Sequence, residues 1–266
     1  MAKAVRLDKF LADAGKGTRS EVKKFIQKGQ VQVNGTPAKK PELKVDQDKD
    51  VVVLAGETVG AAPEFVYYLL NKPAGCVSAT EDRNDRTVME YVPSDRKGLF
   101  PVGRLDKDTE GLLLITDDGQ LAHQLLSPKK HVDKTYFAVT EGKVVPEDIE
   151  KIRLGVDIGD EEPTLPGKLE ILRTWEENVD RKNIEGESGA VIANSNAAGH
   201  KADPEGSIWC SEILLTIHEG RFHQVKRMME AVGKKVIYLK RISMGSLTLP
   251  DDLLKGQARE LTPDEL

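Results

Sequence analysis

Cysteine is almost missing from this chain: its 266 residues hold only Cys76 and Cys210, far apart and without another Cys or a His at metal-ligand spacing. Neither a disulfide framework nor a zinc site is indicated, and both thiols read as small packing residues. No stretch approaches the roughly 20 apolar residues of a membrane span. Met1-Ala2-Lys3-Ala4-Val5-Arg6 is not followed by an apolar run of signal-peptide length, so a cytoplasmic protein with no membrane partner is expected. There is also no Walker loop, no dinucleotide fingerprint and no metal constellation. His123 and His131 lack partners at ligand spacing and read as surface or packing residues.

What is present is an ordinary composition, 39% apolar and 31% charged, with room for a substantial core and more than one domain. The net charge of -5 argues superficially against a nucleic-acid partner, but the charges are unevenly placed. Residues 1 to 44 hold eleven Lys/Arg against four Asp/Glu, a local charge of +7, and residues 219 to 241 reach +5. Residues 176 to 206 carry -4. A polyanion senses the local patches, not the sum.

Leu7, Phe10, Leu11 and Ala14 form one helical stripe that Gly15 ends. Thr18-Arg19-Ser20-Glu21 has the form of a capping box, followed by a second stripe of Val22, Phe25 and Ile26 and a stop at Gly29. Val31 and Val33 alternate with polar residues before an Asn34-Gly35 hairpin turn, and Val51 to Leu54 supply a further strand. Residues 55 to 63 are small and glycine-containing, as a linker should be. The division expected is therefore a first domain over 1–58, a linker over 59–64 and a second domain over 65–266.

In the second domain Phe65 to Leu70 read as a buried strand, with Asn71-Lys72-Pro73-Ala74-Gly75 as the turn that ends it. Leu112 to Thr116 make another buried strand, and Gln120 to Leu126 a short helix stopped at Ser127-Pro128. Lys134 to Val139 alternate like a half-buried strand. Pro146 to Leu154 read as a helix, and Lys168 to Thr174 and Glu212 to Ile217 as strands. Phe222, Val225, Met228, Met229 and Val232 form a helical core stripe stopped by Gly233, with His223, Lys226 and Arg227 on its polar side. Val236 to Leu239 and Ile242 to Leu249 supply two last strands. Residues 176–208 are acidic, rich in Asn, Ser, Gly and Ala, and read as a flexible insertion. From the strand count alone the class is α+β.

The densest run of chemistry is Gly103-Arg104-Leu105-Asp106-Lys107-Asp108-Thr109-Glu110-Gly111, a charged, glycine-bracketed loop running into the Leu112 strand. An Asp in a polar loop is usually a turn former or half of a solvated ion pair. The whole string, with Gly-Leu-Leu-Leu and Thr-Asp-Asp-Gly after it, resembles the catalytic loop of RNA pseudouridine synthases of the RsuA family, in which Asp106 takes the place of the catalytic aspartate. Asn71-Lys72-Pro73-Ala74-Gly75, Lys134-Thr135-Tyr136, Glu219 to Met228 and Met244-Gly245-Ser246-Leu247 match further motifs in family order. Arg6-Leu7-Asp8-Lys9-Phe10-Leu11, Ser20 and Gly29 to Gly35 are similar to the S-four RNA-binding domain.

The resemblance implies a small N-terminal α/β RNA-binding domain, then a catalytic domain with a mixed, largely antiparallel sheet flanked by helices. It implies the isomerisation of a uridine within ribosomal RNA, without metal, redox cofactor or external energy. Asp106 is then the catalytic carboxylate, and Tyr136 the aromatic face for the flipped base, worth roughly 1 to 3 kcal/mol of stacking. Lys226 is the aspartate's cationic partner and Arg227 a phosphate contact, although a one-residue shift exchanges those two. Leu247 would line the base pocket, Arg104 would hold the flipped nucleotide's backbone, and Arg6, Lys9, Arg19, Lys23 and Lys24 would contact phosphates. Asp133 to Tyr136 and Phe222 to Arg227 look closer to the branch that modifies 16S RNA. The alternatives are a large-subunit 23S enzyme of the same family and a non-catalytic assembly factor. A monomer working on small-subunit RNA or an assembling small subunit is expected.

Overall fold

The computed structural model describes residues 4–60, 65–127, 130–178 and 207–266. The chain divides into two compact units, Met1–Glu64 and Phe65–Leu266.

The first unit runs β1 (Ala4–Arg6), α1 (Leu7–Asp13), α2 (Arg19–Gln27), β2 (Val31–Val33), β3 (Thr36–Pro37), β4 (Lys44–Asp46), β5 (Val52–Leu54) and β6 (Glu57–Val59). The capping box forms as its sequence requires: Thr18 Oγ1 accepts from the Glu21 amide, and Glu21 Oε2 accepts from the Thr18 amide at 2.8 Å. Asn34 and Gly35 take positive φ at the β2–β3 turn. Leu7, Phe10, Leu11, Val22 and Ile26 bury one face of each helix against Val31, Val45, Val52 and Val59. That Val59 is buried corrects the linker expected over residues 55 to 63. Ala55 and Gly56 turn the chain with positive φ, and Glu57–Val59 return as a strand paired with β5. Small residues there serve a tight turn.

The second unit continues with β7 (Tyr67–Lys72), β8 (Phe100–Pro101), β9 (Glu110–Thr116), α3 (Gly119–Leu126), β10 (Lys134–Glu141), α4 (Pro146–Leu154), β11 (Lys168–Asn178), β12 (Ser207–Ile217), α5 (Gln224–Ala231), β13 (Lys235–Met244), β14 (Leu247–Thr248) and β15 (Ala258–Glu260). Its described strands form one mixed sheet in the order β11-β12-β10-β13-β9-β7-β15, with β14 on β13 and β8 on β9. Every pairing is antiparallel except β13 with β9. All seven residues of β9 are buried because both faces are covered. Leu113 and Ile115 join the larger core with Tyr136, Ile152, Val225, Met228 and Met229, whereas Leu112 and Leu114 join a second core with Leu69, Met244 and Leu247.

Three expectations change here. β7 does not stop at Leu70: Asn71 and Lys72 are strand residues and buried, their polarity answering to partners inside the protein. β13 is one long strand with register shifts against β10, not two strands. β11 and β12 pair as far as Asn178 and Ser207, so the ladder takes both edges of the expected 176–208 insertion. Residues 179–206 lie outside the described residues.

Candidate active site

The loop from Gly103 to Gly111 is held through its backbone groups by residues 72 to 78. Ser78 Oγ donates to the Leu105 carbonyl at 2.9 Å and accepts from the Leu105 amide at 3.0 Å. The Gly75 amide donates to the Lys107 carbonyl at 2.7 Å. The Lys72 ammonium, 0% exposed, donates to the carbonyls of Pro73 at 3.1 Å, Asp106 at 3.0 Å, Lys107 at 3.3 Å and Thr109 at 2.8 Å. Burial pushes that ammonium's pKa down, while Cys76, Asp108 and Asp106 act in the opposite direction. A cation ringed by carbonyls fixes the loop, and Asp106 keeps its carboxylate partly exposed.

The register sets one transverse row that meets the loop at Gly111: Leu169, Leu215, Tyr136, Arg241, Gly111 and Lys72 on six successive strands. Gly111 has to be glycine. Its φ is +100°, and an added Cβ would lie 2.2 Å from the Arg241 carbonyl oxygen. Arg241 is buried and donates from Nε to the Leu112 carbonyl at 2.8 Å. Its Nη2 and the Thr109 hydroxyl find no hydrogen-bond partner among the described residues. Lys134 is buried two residues before Tyr136, its pKa lowered by burial and by the Arg241 charge.

α5 brings the cation from above. Val225, Met228 and Met229 face the core, which leaves Lys226 turned toward the loop. Its Nζ lies 3.4 Å from Asp106 Oδ2, and 2.6 and 2.8 Å from the two oxygens of Asp108. Burial alone would raise the Asp108 carboxyl, but the Lys226 hydrogen bond and charge hold it below the usual range. His223 Nε2 is 3.7 Å from Asp106 Oδ1. Among the described residues, no group of three His, Cys, Asp or Glu side chains is placed to hold a metal ion.

The structure therefore brings Asp106 and Lys226 into contact, and sets Tyr136 in the same cross-strand row as Gly111, two strands away from β9. Arg227 is different. Its guanidinium donates to the carbonyls of Ile158 and Phe222 and pairs with Asp160, so it is an anchor of the α5 turn and not an open phosphate contact. Leu247 also stands apart: it packs with Leu112 and Leu114, on the face of β9 opposite to the Tyr136 core. Arg104 is exposed on the loop. In the first unit Lys9, Arg19, Lys23 and Lys24 are exposed, while Arg6 makes two bonds of 3.0 Å to the buried carboxylate of Asp8. The family resemblance gave no role to Lys72, Asp108, His223 or Arg241. Nothing in the sequence marked Arg241, which follows Lys240 in a strand that carries several charged residues.

A partly exposed carboxylate beside an ammonium is equipped for general acid–base or nucleophilic work on a bound substrate. The separate N-terminal unit, with a basic helical face, suits a polyanionic partner. Residues 66–231 match the RNA pseudouridylate synthase family and residues 5–52 match the S4 domain. The chain is 43% identical over 98% of its length to YtzG of Bacillus subtilis, an uncharacterized RNA pseudouridine synthase covered to 97%. It is 35% identical to ribosomal small subunit pseudouridine synthase A of Haemophilus influenzae, with 98% of each chain covered, and 36% identical to ribosomal large subunit pseudouridine synthase B of Bacillus subtilis, over 98% of this chain and 93% of that one. A solved pseudouridylate synthase matches with a TM-score of 0.60 at 34% identity, covering 98% of this chain and 97% of the other. The chain belongs to the RNA pseudouridylate synthase family and carries an N-terminal S4 domain.

Proposed function

We propose that this enzyme isomerises one uridine of small-subunit ribosomal RNA, acting as a monomer with Asp106 as its reacting carboxylate. The bond between the sugar C1′ and uracil N1 breaks, the base turns, C1′ joins C5, and the proton released from C5 is balanced by one gained at N1. Lys226 sets its ammonium beside the reacting carboxylate, and Tyr136 offers its face to the uracil. The exposed cations of the S4 unit hold the RNA backbone. The observation that carries this reading is the 3.4 Å contact of Lys226 with Asp106 on a loop pinned by Lys72 and Ser78. Small-subunit RNA is favoured by Asp133 to Tyr136 and by Phe222 to Arg227. Identity to the large-subunit relative is equally high, so 23S RNA is the second reading.

Carbodiimide primer extension over both ribosomal RNAs, treated with wild-type protein or Asp106→Asn, tests the assignment. One new stop in 16S RNA, absent with the variant, is expected. A stop in 23S RNA moves the substrate, and a stop that survives Asp106→Asn removes the carboxylate from the chemistry.

A further inference from the structure

The helical stripe in the sequence assigned Phe222 to the core. The structure leaves it 75% exposed, the most exposed large apolar side chain among the described residues. It is not a loose side chain on a loose loop. Its ring stacks on that of His223, centroids 3.8 Å apart and planes within 17°. His223 is held at φ +50°, a left-handed backbone that few side chains adopt. The Phe222 carbonyl accepts from Arg227 Nη1 at 3.0 Å, and the Arg221 amide donates to Gln224 Oε1 at 2.8 Å. Arg221 itself donates to the carbonyls of Glu162 at 2.6 Å and Pro163 at 2.9 Å. A turn tied at each residue thus holds a flat apolar surface in water, with the edge of its second ring 3.7 Å from Asp106.

We infer that the Phe222–His223 pair is a stacking platform for the nucleobase next to the target uridine. This inference rests on Asp106 being the reaction centre. Taking one base out of a strand uncovers the face of its neighbour, and a fixed aromatic face recovers that stacking whatever the neighbour's identity. The platform lies at the start of α5, whose Lys226 reaches Asp106 one turn further on. Reaction centre and platform are thereby held in one rigid spacing, as adjacent nucleotides require. The pair fits a base better than a phosphate, because the outermost surface is an uncharged ring.

With the ribosomal RNA in which the wild type makes pseudouridine, Phe222→Ala and Phe222→Leu should lower kcat/KM by roughly 5- to 100-fold, the loss falling mainly on KM. Phe222→Tyr should restore most of it. Leu performing as well as Tyr, or Ala matching wild type, overturns the inference. A readout independent of turnover uses Phe222→Trp in the Asp106→Asn background. A ten-residue oligouridylate should quench the added indole emission, read as the difference from Asp106→Asn alone because Trp175 and Trp209 also emit. Heparin, charged but without bases, should leave it unchanged. Equal quenching by heparin, or none by RNA, overturns the platform. If wild type makes no pseudouridine in any ribosomal RNA, the functional reading fails while the quench still decides the platform.

Discussion

The Lys72 ammonium donates to the carbonyl oxygen of Asp106 at 3.0 Å, so a fully buried cation grips the backbone of the residue whose carboxylate faces Lys226. One lysine fixes where the aspartate is, and the other meets its charge.

Replacing the buried one should therefore cost both stability and rate. Lys72→Met removes the three N–H donors shared among four carbonyls and strands carbonyl groups inside the protein, a loss of about 2–4 kcal/mol. Both tryptophans, Trp175 and Trp209, lie in the second unit, so urea unfolding followed by their fluorescence reads this change in the right place. A loss under about 1 kcal/mol with full turnover would show that the loop needs no such clamp.

Gly111→Ala should be among the most damaging single methyl additions, about 3 kcal/mol or more, since the new Cβ meets backbone at 2.2 Å and the φ of +100° is unsuited to it. Thermal melting of the variant is the check. A melting temperature within a degree or two of wild type would mean that β9 and β13 part easily at that point.

Asp108 makes acid behaviour testable. Its carboxyl sits below its ordinary value in the folded state, so it contributes stability above its unfolded pKa of about 3.9, and that contribution is lost as pH falls through the folded value. Asp108→Asn should flatten the stability curve at the acid end. In Lys226→Met the largest of the influences that lower the Asp108 carboxyl is gone, and its titration, followed by carboxyl carbon-13 NMR, should move up. No movement would mean that Lys226 does not govern that carboxylate in solution.

Lys23→Gln with Lys24→Gln should weaken RNA binding for all sequences alike. The slope of log affinity against log salt should flatten by about 0.7 to 0.9 for each phosphate that is no longer neutralised. An unchanged slope, measured by filter binding between low and moderate salt, would take α2 out of the RNA interface.

Much of this was legible in residues taken locally. Thr18 to Glu21 give a cap, Asn34-Gly35 a turn, Pro146 to Leu154 a helix and Lys134 onward an alternating strand, because each depends on near neighbours in sequence. The Asp106–Lys226 contact was reachable only through family resemblance, as the two residues are far apart along the chain. What was misread depended on partners from elsewhere. Lys72 looked like a turn residue because its four carbonyls come mostly from a loop more than thirty residues on. Phe222 fitted a helical stripe, but the helix begins two residues later, so the stripe's geometry did not extend to it. Leu247 fell on the far side of a sheet whose faces no motif reveals.

The pairing of β9 with β13 rests on two residue pairs, Lys240 with Glu110 and Arg241 with Gly111. Asp106 leads into one side of that seam, whereas Tyr136 and Lys226 belong to the other. Asp106 and Lys226 thus approach each other from the two sides of a two-pair join, so their spacing depends on how β9 and β13 are seated against each other.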